Sequence, residues 1–352
     1  MRIEARIACL ALAFLGTVHA EGEEAAAEYR PVFYAHKYLP PHVSAQWHAL
    51  FESFEPFWEL PEPSNLEAWK ALDLKKQAGF IARDQHLPEQ LGATLREHRM
   101  NEVRVVEIEP RRVKNEKHAL MYMHGGGWYS FSPESTLIDT VPMADELGIR
   151  VYSVGYDKAP EASIYDIIDQ NVAVYRHLVE DLKFPPQHIG LYGCSAGGQL
   201  SLAVPNAIRN RELPAPGAAV ALSPMVDFTL TNDTWITLEG HDPIISREAY
   251  VRKILPILGI KNYRDPVISP QYDPLLSEGM PPTLIQTGGK EVLLSDSFVA
   301  FQALEAAGQT AKLDIYDGMV HCFPFALPDA PESKAAVAKQ AAWFRHHLNL
   351  QH

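Results

Sequence analysis

The chain has 352 residues, 47% of them hydrophobic, and a net charge of −13. That length suits one large α/β domain with an elaboration, or two small domains. The acidic balance argues against nucleic acid and anionic membrane surfaces as partners, and three cysteines are too few for a disulfide framework or a zinc site made of four cysteines.

The first twenty residues read as a removable leader. Arg2 and Arg6 precede an apolar run from Ile7 to Val18, and Val18-His19-Ala20 stands before a cut ahead of Glu21. The run is short for a bilayer span. The chain therefore reads as exported, periplasmic or secreted, with a soluble mature form and no stable membrane insertion. Cys9 leaves with the leader. Cys194 and Cys322 remain, each read first as a small buried hydrophobe, with a disulfide between them open in an exported protein.

Residues 21–100 begin acidic and Ala-rich, then mix aromatics, prolines and helical pieces. Phe51, Phe54, Phe57 and Trp58 surround Pro56, and Asn65-Leu66-Glu67-Ala68-Trp69-Lys70 opens a helical pattern. This composition suits a helical cap region more than a sheet, though an ordinary helical flank fits the same residues. From 101 to 352 strands alternate with helices. Val103–Ile108 alternates like a strand, and Ala119–Met123 is an apolar run ending in His124-Gly125-Gly126-Gly127-Trp128. Val151–Gly155 is the next strand. Ile164, Ile168, Val172, Tyr175, Leu178 and Leu182 share one helix face, which Pro185-Pro186 stops. His188–Tyr192 leads into Gly193-Cys194-Ser195-Ala196-Gly197-Gly198, and a small-residue helix follows. Ala218–Leu222 is a strand, residues 225–272 read as a mostly helical, cap-like insertion, and Thr283–Thr287 is a strand. Phe298, Phe301 and Leu304 mark a helix closed by Gly308, Lys312–Tyr316 is the last strand, and a helix from about Glu332 ends the chain. The pattern is an α/β fold with a mostly parallel sheet covered by helices, whose active groups gather at the carboxyl ends of the strands.

Three candidates stand at such ends: Ser195, Glu291 and His321, in the order nucleophile, acid, base. The glycines around Ser195 permit a tight turn that lifts its hydroxyl to a strand tip, facing the next helix N-terminus. A serine needs a histidine to take its proton, and a carboxylate to fix that histidine's tautomer. Attack on a carbonyl then needs preorganised donors for the oxyanion, which the His124–Gly127 loop and the Ala196 N–H can supply. Asp296 competes with Glu291 for the acid position, but sits where a helix start favours an acid by capping and dipole alone. Trp128 and Tyr129 fit a pocket wall or the core equally. No metal-ligand spacing occurs among the histidines.

These motifs, with Gly288-Gly289-Lys290-Glu291-Val292-Leu293-Leu294-Ser295-Asp296-Ser297 and Asp317-Gly318-Met319-Val320-His321-Cys322-Phe323, resemble the hormone-sensitive lipase family of α/β-hydrolases. Tyr156-Asp157-Lys158-Ala159-Pro160-Glu161 is similar to that family's Tyr-Arg-Leu-Ala-Pro-Glu segment. The resemblance implies an eight-stranded core under a helical cap and carboxylesterase activity on short acyl chains, without metal or organic cofactor. It implies oxyanion donors at Gly126, Gly127 and Ala196, and a loop-ordering role for His124. The chain departs from the family at Cys194, where Asp or Thr is usual, and at Glu291-Val292-Leu293, where Asp-Pro-Leu is common. The expected partner is a small-molecule ester, and a homodimer is compatible with this reading. Two alternatives stay open: an amide or formamide hydrolase or sugar deacetylase with the same machinery, and a ligand-binding protein on a hydrolase scaffold.

Overall fold

The computed structural model describes residues 38–53, 60–273 and 279–350. The leader expected at 1–20 and the aromatics Phe54, Phe57 and Trp58 lie outside these residues. Among the described residues, eight strands form one sheet: β1 (Thr94–Met100), β2 (Val103–Glu109), β3 (Ala119–Met123), β4 (Arg150–Gly155), β5 (Ile189–Cys194), β6 (Ala218–Leu222), β7 (Thr283–Gly288) and β8 (Ala311–Tyr316). Their order is β1-β2-β4-β3-β5-β6-β7-β8. β2 pairs antiparallel with both β1 and β4, and every pairing from β4 across to β8 is parallel. The expected mostly parallel α/β sheet is thus present.

β3, β5, β6 and β7 are buried along their whole length. Their runs of apolar and small residues suit a sheet covered on both faces. Helices Ile164–Glu180 and Ala196–Asn210 pack into the core on one face, and Leu137–Leu147 and Pro331–His347 into that on the other. The first of these helices is closed at its start by a reciprocal cap: the Asp166 N–H donates to Ser163 Oγ, and the Ser163 N–H donates back to the Asp166 carboxylate. Its buried face carries Ile164, Ile168, Val172, Tyr175 and Leu178. Leu182, expected on that face, lies beyond the helix end and is exposed.

Two segments differ from expectation. β1 falls inside the stretch read as helical and aromatic. Its sequence, Thr94-Leu95-Arg96-Glu97-His98-Arg99-Met100, is mostly polar because it is an edge strand with one partner, and charge on an edge discourages pairing with other chains. The 225–272 insertion contains only short helical pieces. The longest run, Arg247–Ile257, passes from α to π to 3₁₀ geometry. Pro243, Pro256, Pro266 and Pro270 each remove an N–H that a longer helix would need.

The helices Ala45–Ser53 and Leu66–Asp84 lie against the loops that follow β3 and β8. Trp47 is fully buried and meets Phe51 and Phe323 edge-on, at centroid distances of 6.2 and 6.5 Å. Trp69 packs edge-on against Tyr129, and Phe80 against Phe131. Asp73 accepts from the Phe131 N–H at 3.0 Å and holds Lys158.

Candidate active site

The parallel strands set the site. From β3 the chain runs to β4 on one side and later returns to β5 on the other, so the loops after β3 and β5 meet where the strand order reverses. Ligands of open α/β sheets bind at that point. The His124–Gly127 loop follows β3, and Ser195 follows β5 directly. The next three strands, β6, β7 and β8, are successive neighbours and lead to Ser223, Glu291 and His321.

Ser195 has φ 61° and ψ −119°, a region costly for a residue with a side chain. Its N–H donates to Leu222 O at 2.9 Å, which ties the turn to the end of β6. The turn also demands glycine behind it: a Cβ on Gly197 would run into the Met123 carbonyl oxygen. Ser195 is half-buried at the N-terminus of helix Ala196–Asn210, and its hydroxyl neither caps that helix nor hydrogen-bonds another described group. The Ala196 N–H, in the first turn, lacks an intrahelical acceptor. The glycine loop lies against the turn, where a Cβ on Gly125 would meet Cys194 O at 2.8 Å and Ser195 Cβ at 3.4 Å. Gly126 has φ 95° and Gly127 φ 61°, and neither N–H donates to a described protein acceptor.

Glu291 is fully buried and its two oxygens are divided. Oε2 accepts from His321 Nδ1 at 2.6 Å. Oε1 accepts from the Gly288 N–H at 2.6 Å, Ser223 Oγ at 2.8 Å and Thr287 Oγ1. With Nδ1 carrying the shared proton, a neutral His321 presents the Nε2 lone pair. The structure therefore pairs His321 with Glu291 and not with Asp296. Asp296 accepts from the Val226 and Asp227 N–H groups at 2.8 and 3.0 Å and from Trp235 Nε1 at 2.8 Å. It holds the 226–235 loop instead of capping its own helix. Burial raises its carboxyl to about 7, opposed by those hydrogen bonds.

Two residues outside the sequence reading support Glu291. Ser223 Oγ donates to Glu291 and accepts from the Cys322 N–H at 3.2 Å, so it joins the acid to the histidine loop. Asp242 is buried and accepts from the Val292 N–H at 2.9 Å and from the Ile244 and Ile245 N–H groups at 2.8 and 3.0 Å. Burial raises its carboxyl to about 6. Neither residue sits in a motif. Cys194 and Cys322, read first as separate hydrophobes, are buried and joined by a disulfide. Trp128 and Tyr129 are buried: Trp128 Nε1 donates to Gln199 Oε1, and Lys76 donates to the Tyr129 hydroxyl. They belong to the core. Among the described residues no cluster of metal-ligating side chains occurs, and no helix is long and apolar enough to cross a membrane.

His124 is buried away from this hydrogen-bond chain. Its ring stacks on Tyr156 at 4.0 Å, its Nδ1 pairs with Gly125 O at 2.9 Å, and the Tyr156 hydroxyl donates to His124 O at 2.7 Å. Burial, opposed by the Gly125 bond, lowers the imidazole from 6.5 to about 3. Between those values the unfolded chain binds a proton at this site that the folded one refuses. Stability held above pH 6.5 is therefore lost as the pH falls toward 3. Asp242, Asp296 and Asp139, all raised by burial, act in the opposite sense. The effect is read as a difference. We expect His124→Gln to close the gap in unfolding free energy to wild type by a few kcal/mol (order of magnitude) between neutral pH and about pH 4 in urea titrations. An unchanged gap would mean His124 is solvated or already protonated.

Residues 120–325 match the family described as having the alpha/beta hydrolase fold. The chain is 30% identical over 235 residues to an acetyl-hydrolase of Streptomyces hygroscopicus, a match covering 67% of this chain and 78% of that protein. It is 30% identical over 247 residues to an esterase of Acinetobacter venetianus, covering 67% and 78%. Among solved structures it resembles an esterase from the bacterial hormone-sensitive lipase family, with a TM-score of 0.68, 29% identity, and coverage of 78% of this chain and 98% of that one.

Proposed function

We propose that this chain, which belongs to the hormone-sensitive lipase family of α/β-hydrolases, performs its carboxylesterase chemistry through Ser195, His321 and Glu291. Ser195 Oγ attacks the ester carbonyl carbon as His321 Nε2 takes its proton. The N–H groups of Gly126, Gly127 and Ala196 receive the charge that develops on the carbonyl oxygen. Glu291 stabilises the imidazolium, which returns its proton to the departing alcohol. Water then repeats the sequence on the acyl-serine. His124 is a positioning residue: its stacking on Tyr156 and its bond to Gly125 O order the glycine loop.

The observation that carries this reading is the 2.6 Å bond from His321 to Glu291, whose other oxygen is saturated by three donors. The same bond weighs against a ligand-binding protein on a hydrolase scaffold, which has no use for a histidine held in one tautomer. Short acyl chains are the proposed substrates. The 30% identical Streptomyces protein is named an acetyl-hydrolase, and in this chain the helices 45–53 and 66–84 pack against the loops after β3 and β8, which supports reading them as a cap. Export is proposed from the leader-like residues 1–20 and from the disulfide, which persists best in an oxidising compartment.

A series of nitrophenyl esters from acetate to dodecanoate tests the substrate class. We expect kcat/KM to be highest for acetate to butyrate and to fall by about 10–100-fold for the longest chains, a few methylenes' worth of misfit. A rise with chain length would overturn the short-acyl assignment. Turnover of amides and sugar acetates in preference to simple esters would favour the amidase or deacetylase reading.

A further inference from the structure

The two cysteines of the disulfide are the immediate neighbours of the proposed nucleophile and base: Cys194 precedes Ser195, and Cys322 follows His321. They lie 128 residues apart in sequence, and their Cα atoms are 6.1 Å apart. We propose that the Cys194–Cys322 disulfide is a positioning clamp that fixes the histidine loop, and with it His321 Nε2, over the Ser195 turn. This inference rests on the Ser195–His321–Glu291 reading given above.

The two sides of the clamp are held unequally. The Ser195 turn is built into the sheet: its N–H is bonded to the end of β6, β5 precedes it without a break, and a fifteen-residue helix follows. His321 lies in the loop after β8, the last strand of the order, and among the described residues only β7 flanks that strand. Its imidazole has one hydrogen bond to a carboxylate, through Nδ1. That bond fixes the tautomer and ties the ring to a carboxylate anchored on β7 and Ser223, but a single contact through Nδ1 leaves the ring free to swing about it and does not by itself set where Nε2 points. Two further contacts limit that swing. Cys322, at φ 51°, donates its N–H to Ser223 Oγ. Its Sγ lies 3.5 Å from His321 Nε2, against the nitrogen that must meet Ser195 Oγ. Because Nε2 carries the lone pair, this is a packing contact, and the sulfur forms a wall on one side of the ring. Of these contacts only the covalent bond reaches directly to the strand that carries the nucleophile.

A misplacement of about 1 Å between reacting groups costs roughly 100-fold in rate. Cutting the clamp should therefore lower kcat while leaving KM nearly unchanged, since the clamp acts on the alignment of the reacting groups. The test treats the full chain with a trialkylphosphine. The phosphine becomes a phosphine oxide with the oxygen of one water, and that water's two hydrogens go to the two sulfurs. Reduction is verified by mass spectrometry after thiol alkylation of a sample. Well below the unfolding temperature, we expect kcat on nitrophenyl acetate to fall by about 10–100-fold, KM to stay within about twofold, and fluorophosphonate labelling of Ser195 to slow in proportion to kcat. Reoxidation should restore all three, and the double variant Cys194→Ala with Cys322→Ala should match the reduced enzyme without being restored. Unchanged kcat and labelling in fully reduced, folded protein would overturn the clamp, as would a loss that merely follows the loss of native circular dichroism. A disulfide that acted through stability alone would lower the melting temperature and leave kcat intact. If the oxidised enzyme itself fails to label at Ser195, the reading of the active site falls and the clamp falls with it.

Discussion

Ser195→Ala is expected to lower kcat by roughly 10⁶-fold while the protein keeps its fold. Only the side-chain oxygen changes. The turn geometry is already enforced by the Leu222 hydrogen bond and by close packing of Gly197 on Met123 O. Alanine meets no more strain at φ 61° than serine does, so the melting temperature should move little. The hydroxyl is singular in this site because it stands at the end of a strand, at the N-terminus of a fifteen-residue helix, beside the glycine loop. The other hydroxyls nearby, Ser223 and Thr287, are buried and donate to Glu291. A residual acceleration of roughly 10³–10⁴-fold over water should survive, since the proposed oxyanion donors are backbone N–H groups that the substitution leaves in place. Steady-state hydrolysis of nitrophenyl acetate measures the loss, and the burst of nitrophenol that marks acyl-serine accumulation should vanish with it. Activity within tenfold of wild type would sink the nucleophile assignment.

The parts of this site that were legible in the sequence are those that chemistry confines to short motifs. A glycine loop must be glycine because the backbone turns to positive φ, as at Gly126, and a nucleophile turn must be glycine because strands and helix crowd it, as at Gly197. The positions of Glu291 and His321 followed from the alternation of strand and helix, which places active groups after strands. Residues whose role depends on tertiary contact left no such trace. Ser223 and Asp242 are single polar residues in ordinary surroundings, and they meet Glu291 and Val292 across 68 and 50 residues of chain. β1 was hidden because an edge strand need not alternate cleanly. The disulfide lay between these cases. No spacing rule connects residues 194 and 322, yet each adjoins a predicted site residue, and if those two residues converge their neighbours must come close as well.

Glu291→Gln is expected to lower kcat by about 10⁴-fold, while Asp296→Asn leaves kcat within a few-fold of wild type and lowers stability instead. Glutamine has the size and shape of glutamate, so the site should keep its packing. Its amide, however, has an oxygen and an NH2 group in place of two equivalent oxygens. The position of Oε1 receives hydrogen bonds from the Gly288 N–H, Ser223 and Thr287, and only an oxygen can accept there without collision from the backbone donor. The NH2 group is thereby turned toward His321 Nδ1. A donor facing Nδ1 forces the imidazole into the other tautomer, with the lone pair on Nδ1 and the proton on Nε2. In that form it cannot accept the Ser195 proton, although every heavy atom is in place. At Asp296 the same substitution leaves an oxygen for the Val226 and Asp227 N–H groups but sets an NH2 against the Trp235 indole N–H. One buried hydrogen bond is lost, at a cost of about 1–3 kcal/mol, in a loop that does not touch His321. Parallel measurements of kcat and of urea unfolding on the two variants separate these effects. Turnover abolished in a folded Asp296→Asn, together with turnover retained in Glu291→Gln, would transfer the acid to Asp296. It would also require the histidine loop to adopt a geometry in which Nδ1 leaves its 2.6 Å partner.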